Sequence, residues 1–488
     1  MLCKFVELMG AINQRSAHMV SRFREVISME QVKKLGFWSS FSVAVGLVVA
    51  SSTLVTLGQG MGAAGGGFIF AMIAAWLLQF FSAQSFAELT TAMPKSGSIN
   101  VYARMALGPA AGILCVLAGY VYMSFLTVPA ELSVAGAVFN EVFSGEFSPA
   151  LFALILLVVF TFANILGVDI FAKLQIILTV AMLVSMSALG IVGLINIGNP
   201  APALGASSFN PMGLGVLSLT ALAVWLYIGI EFVCPMVDEI KNPAKNIPYS
   251  MFIGLIVIFI VNILYGFASI KYVPMESLAS SDTPHILAAQ AILGRGGMIW
   301  IGIVSILATA SSVNTFVAVI PRMLYSMAKE GEAPKIFAIT HPRFRTPWVG
   351  IVLVSAVYAL LLFMGIAGIE KIMILIMSAA ACWLLVYMMA HIIVIILRVK
   401  YPTLKRPYKT QLYPLPQIIG SLGILYSIWA IWPDDITRFE IYTYAVVAIV
   451  ICTVYALIWT KFVLKKKPFV PVPLEEEMGE EFAKSALK

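Results

Sequence analysis

The chain has 488 residues, of which 60% are hydrophobic and only 11% charged, against about 25% charged residues in an average soluble domain. That composition excludes a soluble globule, and unbroken apolar runs such as Tyr249 to Ile270 exclude a transmembrane barrel, whose strands alternate over about ten residues. What is left is an all-α polytopic membrane protein: twelve helical spans use about 240 to 300 positions, leaving too few for a separate soluble domain of ordinary size.

The net charge of +7 reports orientation. With the N-terminus inside, all of the 31 Lys and Arg except Lys271, Arg295, Lys371 and Arg438 fall on the inner side, the positive-inside asymmetry of membrane proteins. No nucleic-acid partner is implied; the partner of such a surface is the lipid bilayer. Cys3, Cys115, Cys234, Cys382 and Cys452 are scattered without CxxC spacing, so neither a disulfide framework nor a zinc site is supported.

Along the chain, residues 1–35 are mixed in charge and lack an apolar core of signal-peptide length, which predicts a cytoplasmic tail. Met29 is an alternative start, because Met29 to Gly36 forms a short basic lead-in to the first span. Apolar runs predict spans near 36–57, 68–91, 111–139, 149–167, 172–196, 212–237, 249–270, 297–328, 347–366, 371–397, 416–433 and 440–464. The polar, Pro-containing stretch 272–296 reads as an outer loop with a short surface helix. After Lys467 the chain is punctuated by Pro and acidic at Glu475, Glu476 and Glu477, which predicts a solvated, mobile tail. An even number of spans places both termini in the cytoplasm of a cell bounded by this inner membrane. If the first ten spans form two repeats of five, 36–196 and 212–397, the odd number makes the second enter from the opposite face. The pair at 416–464 is then accessory, and 465–488 forms the C-terminal tail.

Two spans carry residues that weaken a helix at mid-depth: Gly46 with Ala50, Ser51 and Ser52 in span 1, and Gly229, following Trp225 and Ile228, in span 6. A break there frees backbone groups that must face protein or a wet cavity. Amides at the start of a half-helix favour a carboxylate, and carbonyls at the end of the other half favour an ammonium or cation. An amino acid carries both. Close helix packing explains the same small residues equally well.

Two carboxylates lie deep in apolar spans, Glu131 in span 3 and Glu231 in span 6. A charge at that depth costs about 2.5 to 3.5 kcal/mol on insertion scales, so each is expected to be protonated, paired or facing water, and each could bind and release a proton or be a neutral acid bonded to broken backbone. Glu88, at the inner end of span 2, fits a loop-pairing role as well as a coupling one, and Asp169 and Lys173 are expected at the interface. His391 reads as a packing residue in preference to a proton relay. Trp225, Tyr227, Trp383 and Tyr387 fit either gates over a substrate or ordinary packing. On span 8, Ser311, Ser312, Asn314 and Thr315 offer oxygens to a sodium ion, but hydroxyls also satisfy neighbouring backbone. No P-loop, pair of metal-ligating His or nucleophile–base set stands out. No enzyme activity and no cofactor are therefore expected.

Several segments together resemble the amino acid, polyamine and organocation transporter superfamily, in its bacterial amino acid permease form, from about Lys33 to Lys461. The strongest is Trp225 to Pro248, WLYIGIEFVCPMVDEIKNPAKNIP, similar to the family's span-6 segment. Glu88, Pro94, Gly97 and Tyr102 match the end of span 2 and its turn. Arg322, Gly331 and Pro334 match the exit of span 8, and VPAEL at Glu131 is similar to span 3. The resemblance implies a five-plus-five inverted-repeat fold of the leucine-transporter type with two extra helices. It also implies a substrate site between spans 1, 3, 6, 8 and 10, and transport without ATP. Two departures stand out. Relatives usually carry Gly-Ser/Thr-Gly where this chain has Ala50-Ser51-Ser52, and Met182 stands where some carry a span-5 lysine.

The expectation is a secondary transporter of an amino acid working by alternating access. Ala50, Ser51, Ser52, Trp225, Ile228 and Gly229 would bind substrate, and Glu131 and Glu231 would couple protons, sodium being the less favoured ion. An exchanger, a polyamine carrier and a non-transporting membrane receptor or assembly protein stay open as alternatives.

Overall fold

The computed structural model describes residues 35–143, 148–200, 209–365 and 371–487. The expected N-terminal tail, apart from Leu35, and the Met29 alternative lie outside the described residues. Among the described residues, seven helices are long and apolar enough to cross a membrane, and five shorter apolar helices accompany them. The chain is an all-α polytopic membrane protein.

Span 1 is two helices, α1 (Phe37–Val48) and α2 (Ser51–Ala64), separated by extended backbone at Val49 and Ala50. Helix α3 (Phe68–Ala92) forms span 2, and a short helix α4 (Ile99–Leu107) leads into α5 (Pro109–Phe143), span 3. Spans 4 and 5 are α6 (Pro149–Ile165) and α7 (Val168–Leu194). Span 6 is again divided, into α8 (Gly213–Val224) and a 3₁₀ turn α9 (Ile230–Met236). There follow α10 (Pro243–Tyr272), α11 (Met275–Ser280) and the long, kinked α12 (Pro284–Lys329). Spans 9 to 12 are α13 (Trp348–Phe363), α14 (Ile372–Lys400), α15 (Leu415–Trp429) and α16 (Asp435–Val463). Two short helices, α17 (Leu474–Met478) and α18 (Glu480–Ala486), end the described chain.

Exposed apolar side chains such as Ile177, Val184, Leu360 and Ile451 face outward, as lipid requires. Small and polar residues gather inside. Ser40, Ser42, Ser51, Ser52, Thr53 and Thr56 of span 1 are all buried, so its polar face is turned to neighbouring helices.

Two expectations need correction. In 272–296 the expected short surface helix is present as α11, with only Leu278 buried, but the stretch after it is not a loop: the start of α12 packs inward, with His285, Ile286 and Ala288 buried. The reason is a glycine-lined stripe on α2. A Cβ at Gly62 would come within 2.3 Å of the Ala279 backbone nitrogen, and one at Gly58 within 2.5 Å of Pro284, so only glycine admits so close an approach.

Nor is the acidic end of the chain free. Pro468 accepts a hydrogen bond from the Ala110 amide (3.0 Å), and the Val472 amide donates to Arg104 (3.0 Å). Glu477 is buried against Arg104, 2.5 Å away, and Lys95, 3.1 Å away, while Glu332 meets Arg104 at 3.1 Å. Burial alone would pull the Arg104 guanidinium down, but Glu332 and Glu477 more than offset this and hold it above its ordinary value.

Candidate substrate site

The two breaks meet. In span 1, the Val49 and Ala50 backbone leaves the amides at the start of α2 without intrahelical acceptors. In span 6, Gly229 takes a φ of +104° and α9 starts only after it. Glycine alone enters that left-handed region freely. The Gly229 amide donates to the Tyr387 hydroxyl at 2.9 Å, so a span-10 side chain replaces the lost helical bond.

Between the breaks lies a hollow of about 10 Å³, bordered by Leu47, Ala50, Glu131, Trp225, Ile228 and Trp383. That is room for about one water: the protein has closed around its own site. Of the expected substrate-binding residues, Ala50, Trp225 and Ile228 line the hollow. Ser52 adjoins it through Glu131 and Trp225. Ser51 is directed elsewhere, its hydroxyl donating to the Ser305 carbonyl at 2.7 Å and lying 2.7 Å from the Thr309 hydroxyl. It binds span 1 to span 8. Thr53, Thr127, Ser312 and Phe316 also line the hollow; of these only Ser312 stood out in the sequence, for another role.

Glu131 occupies the place expected for a ligand carboxylate. Its Oε2 accepts from the Ser52 amide at 3.3 Å and its Oε1 from the Ser52 hydroxyl, so a protein carboxylate sits on the positive end of α2. Trp225 Nε1 donates to the same Ser52 hydroxyl at 2.9 Å. Serine at position 52 makes this possible: its hydroxyl links Trp225 of span 6 to the carboxylate of span 3.

Glu231 has a different setting. Oε1 accepts from Trp383 Nε1 at 2.7 Å and from Tyr120 hydroxyl at 3.1 Å, and Oε2 from Tyr387 hydroxyl. A π-helical turn at Leu117–Tyr122 in span 3 carries Tyr120; such turns recur at functional sites. Tyr387, Trp383 and Tyr120 thus hold the carboxylate that follows the span-6 break.

The start of α1 is stitched to the exit of span 6. Leu35 donates to the Glu239 carbonyl (3.0 Å) and accepts from the Lys241 amide (2.8 Å), while Arg322 Nε meets Glu239 Oε1 at 3.1 Å. Glu88 is paired: Arg398 of α14 donates two bonds of 2.7 Å to it and the Thr410 amide, in the segment after α14, another of 2.8 Å. His391 is buried against Ser82 and Ser85, with Nδ1 at 2.9 Å from the Ser85 hydroxyl. Among the described residues, no group of three or more His, Cys, Asp or Glu side chains is placed to hold a metal ion.

Fold and site together define a multi-pass membrane protein with a buried polar site where two broken spans meet. A family model described as amino acid permease matches residues 35–468, and the chain belongs to that family. The superfamily resemblance in the sequence is therefore borne out. The relatives include an uncharacterized amino acid permease, YtnA, of Bacillus subtilis, 30% identical over 61% of this chain and 65% of its own length. The branched-chain amino acid permease BcaP of the same organism is 25% identical over 82% of this chain and 87% of its own. The mouse large neutral amino acids transporter small subunit 2 is 27% identical over 82% and 77% respectively.

Proposed function

We propose that the protein carries a neutral amino acid across the cytoplasmic membrane by alternating access, with both termini on the inner side, and that a proton on Glu131 drives the exchange of one carboxylate for another at α2. The observation that carries this reading is the Glu131 carboxylate on the Ser52 amide and hydroxyl. A proton on Glu131 removes the charge that favours this contact. The amides then become available to a substrate carboxylate, and the hollow must widen around Trp225 to admit it. The broken backbone of span 6 offers the ammonium its carbonyls. Leu47, Val48, Ile228 and Phe316 around the hollow favour an uncharged side chain, in keeping with the names of BcaP and the large neutral amino acids transporter. Glu231, held by three donors, positions the span-6 break in this reading and leaves coupling to Glu131.

The test is uptake of radiolabelled neutral amino acids into proteoliposomes with an imposed pH gradient, acidic outside. The native protein is expected to accumulate substrate. Glu131→Gln is expected to lose accumulation by at least about tenfold while retaining exchange between substrate on the two sides, because a neutral amide preserves shape without titrating. Accumulation that survives in the variant overturns coupling at Glu131, and binding without movement of substrate overturns transport. A second reading, carriage of a polyamine or other organic cation, is favoured by two buried carboxylates near the hollow: Glu131, which lines it, and Glu231, bonded to the lining residue Trp383. It predicts that polyamines, not neutral amino acids, raise the apparent thermal stability of the purified protein.

A further inference from the structure

A second hollow, of about 490 Å³, lies between spans 3, 10 and 12 and the C-terminal segment, and shares no lining residue with the substrate site. Pockets of that volume take small organic ligands. Span 3 contributes Ala111, Cys115 and Ala118 of α5, and span 10 contributes Cys382, Val386 and Met389 of α14. Both sets recur every three or four residues, so each is one face of a helix. The short side chains of alanine and cysteine leave the room between them. Cys115 and Cys382, which fitted no motif in the sequence, thus have a place. No lining side chain carries nitrogen or oxygen. Water finds no hydrogen-bond partner on such walls, whereas hydrocarbon gains dispersion contacts on every side.

The hollow is elongated and has one polar end. From Ala111 to Ala118 its wall runs about 10 Å at 1.5 Å per residue, against about 15 Å of hydrocarbon in one leaflet. Leu114, Leu385 and Met388 on its rim are half-buried, and the lining Ile449 stands beside Val450, one of the outward-facing residues of α16. It therefore opens sideways to the bilayer. The polar end is framed by Phe469 and Pro471, which the bonds of Pro468 to Ala110 and of Val472 to Arg104 hold in place. Lysines gather there. Lys465 and Lys467, just before Phe469, are exposed, and Lys400 Nζ donates to the Met105 carbonyl at 3.2 Å, next to the lining Ala106. Glu476 is engaged by Lys466 at 2.7 Å, and Glu477 by Arg104 and Lys95. Among the described residues, Lys465 and Lys467 make no ion pair.

We propose that this hollow binds one acyl chain of an anionic phospholipid, whose phosphate is held by Lys400, Lys465 and Lys467. The slot is one helix face wide on each side, which suits a slender chain, and its cationic end complements the headgroup. The lipid reaches the working core through the helices that hold it. A Cβ at Gly119 would lie 2.0 Å from Val386 Cγ2, so spans 3 and 10 touch beside the chain, and the same two spans supply Tyr120, Trp383 and Tyr387 to Glu231. The site goes beyond the transport reading and does not rest on it.

Native mass spectrometry of the purified full-length protein, delipidated and then given phosphatidylglycerol or phosphatidylcholine with the same acyl chains, reads binding without substrate. The native protein is expected to retain one phosphatidylglycerol and to prefer it over phosphatidylcholine by about tenfold. Ala111→Phe, which fills the hollow, is expected to lose both lipids. Lys400→Gln, Lys465→Gln and Lys467→Gln combined are expected to abolish the preference. Phosphatidylglycerol retained undiminished by Ala111→Phe overturns the hollow as the site. Equal retention of the two lipids by the native protein, or a preference that survives the lysine substitutions, overturns the anionic headgroup. A dimer that Ala111→Phe splits, with no lipid retained, assigns this face to a second copy of the chain and overturns the proposal. If Ala111→Phe does not fold, Leu114→Trp fills the same hollow from a half-buried position and is read by the same criteria.

Discussion

Gly229 is the residue on which the span-6 break depends most directly. An alanine there meets two obstacles: a left-handed backbone that costs an L-residue about 1 to 2 kcal/mol, and a Cβ 2.1 Å from Leu47 Cδ2 and 3.1 Å from the Trp383 ring. Leu47 lines the hollow and Trp383 holds Glu231, so relief of the clash distorts both. Gly229→Ala is expected to lower substrate uptake by about tenfold or more. Gly215→Ala, at a position with open space around it, should leave uptake unchanged. Equal rates for the two variants would show that the break tolerates a side chain. At this scale the sequence was informative wherever a residue type is intrinsically out of place, as with a glycine or a carboxylate in a span. It did not show that Ser51 faces span 8, or that Thr53 and Thr127 border the hollow, because serine and threonine are ordinary in membrane helices and their direction depends on the helix rotation.

Among the elements, helices α17 and α18 depart furthest from expectation. Proline and three consecutive glutamates are compositional signs of a solvated tail, yet Glu477 finds Arg104, 373 positions away in the sequence, and no local pattern encodes that meeting. Removing one partner of a buried ion pair costs about 3 to 5 kcal/mol when the other stays buried. Here the segment can detach, which limits the loss, and Glu332 still pairs with Arg104. Glu477→Ala is therefore expected to increase the rate of limited proteolysis between Lys467 and Lys484 several-fold, with little effect on the stability of the helical bundle. Proteolysis at the native rate would mean that the backbone bonds to Arg104 and Ala110 hold the segment without Glu477. The start of α12, expected as part of a loop, has a similar origin: its polarity marked a loop, whereas the glycine of α2 against which Pro284 packs lies in another element.

For the molecule as a whole, the inner bias of Lys and Arg sets the orientation proposed above. Trypsin added to inside-out vesicles is expected to cut at Lys465 to Lys467 and release a C-terminal fragment, and to leave the same residues intact in right-side-out vesicles. The opposite pattern would invert the orientation. The sequence by itself determined the membrane class, the approximate spans, the two weak points and the two deep carboxylates. Hydrophobic length, charge bias and out-of-place residue types are properties that a one-dimensional pattern carries. Only the tertiary structure decided that Glu131 lies on the amide of Ser52 at the start of α2, that Glu231 is held by three donors, and that Gln175 of α7 donates to Ser42 of α1 and Ser311 of α12. Hydrogen bonds between spans depend on distance and direction to within fractions of an ångström, and these exist only once the helices have packed.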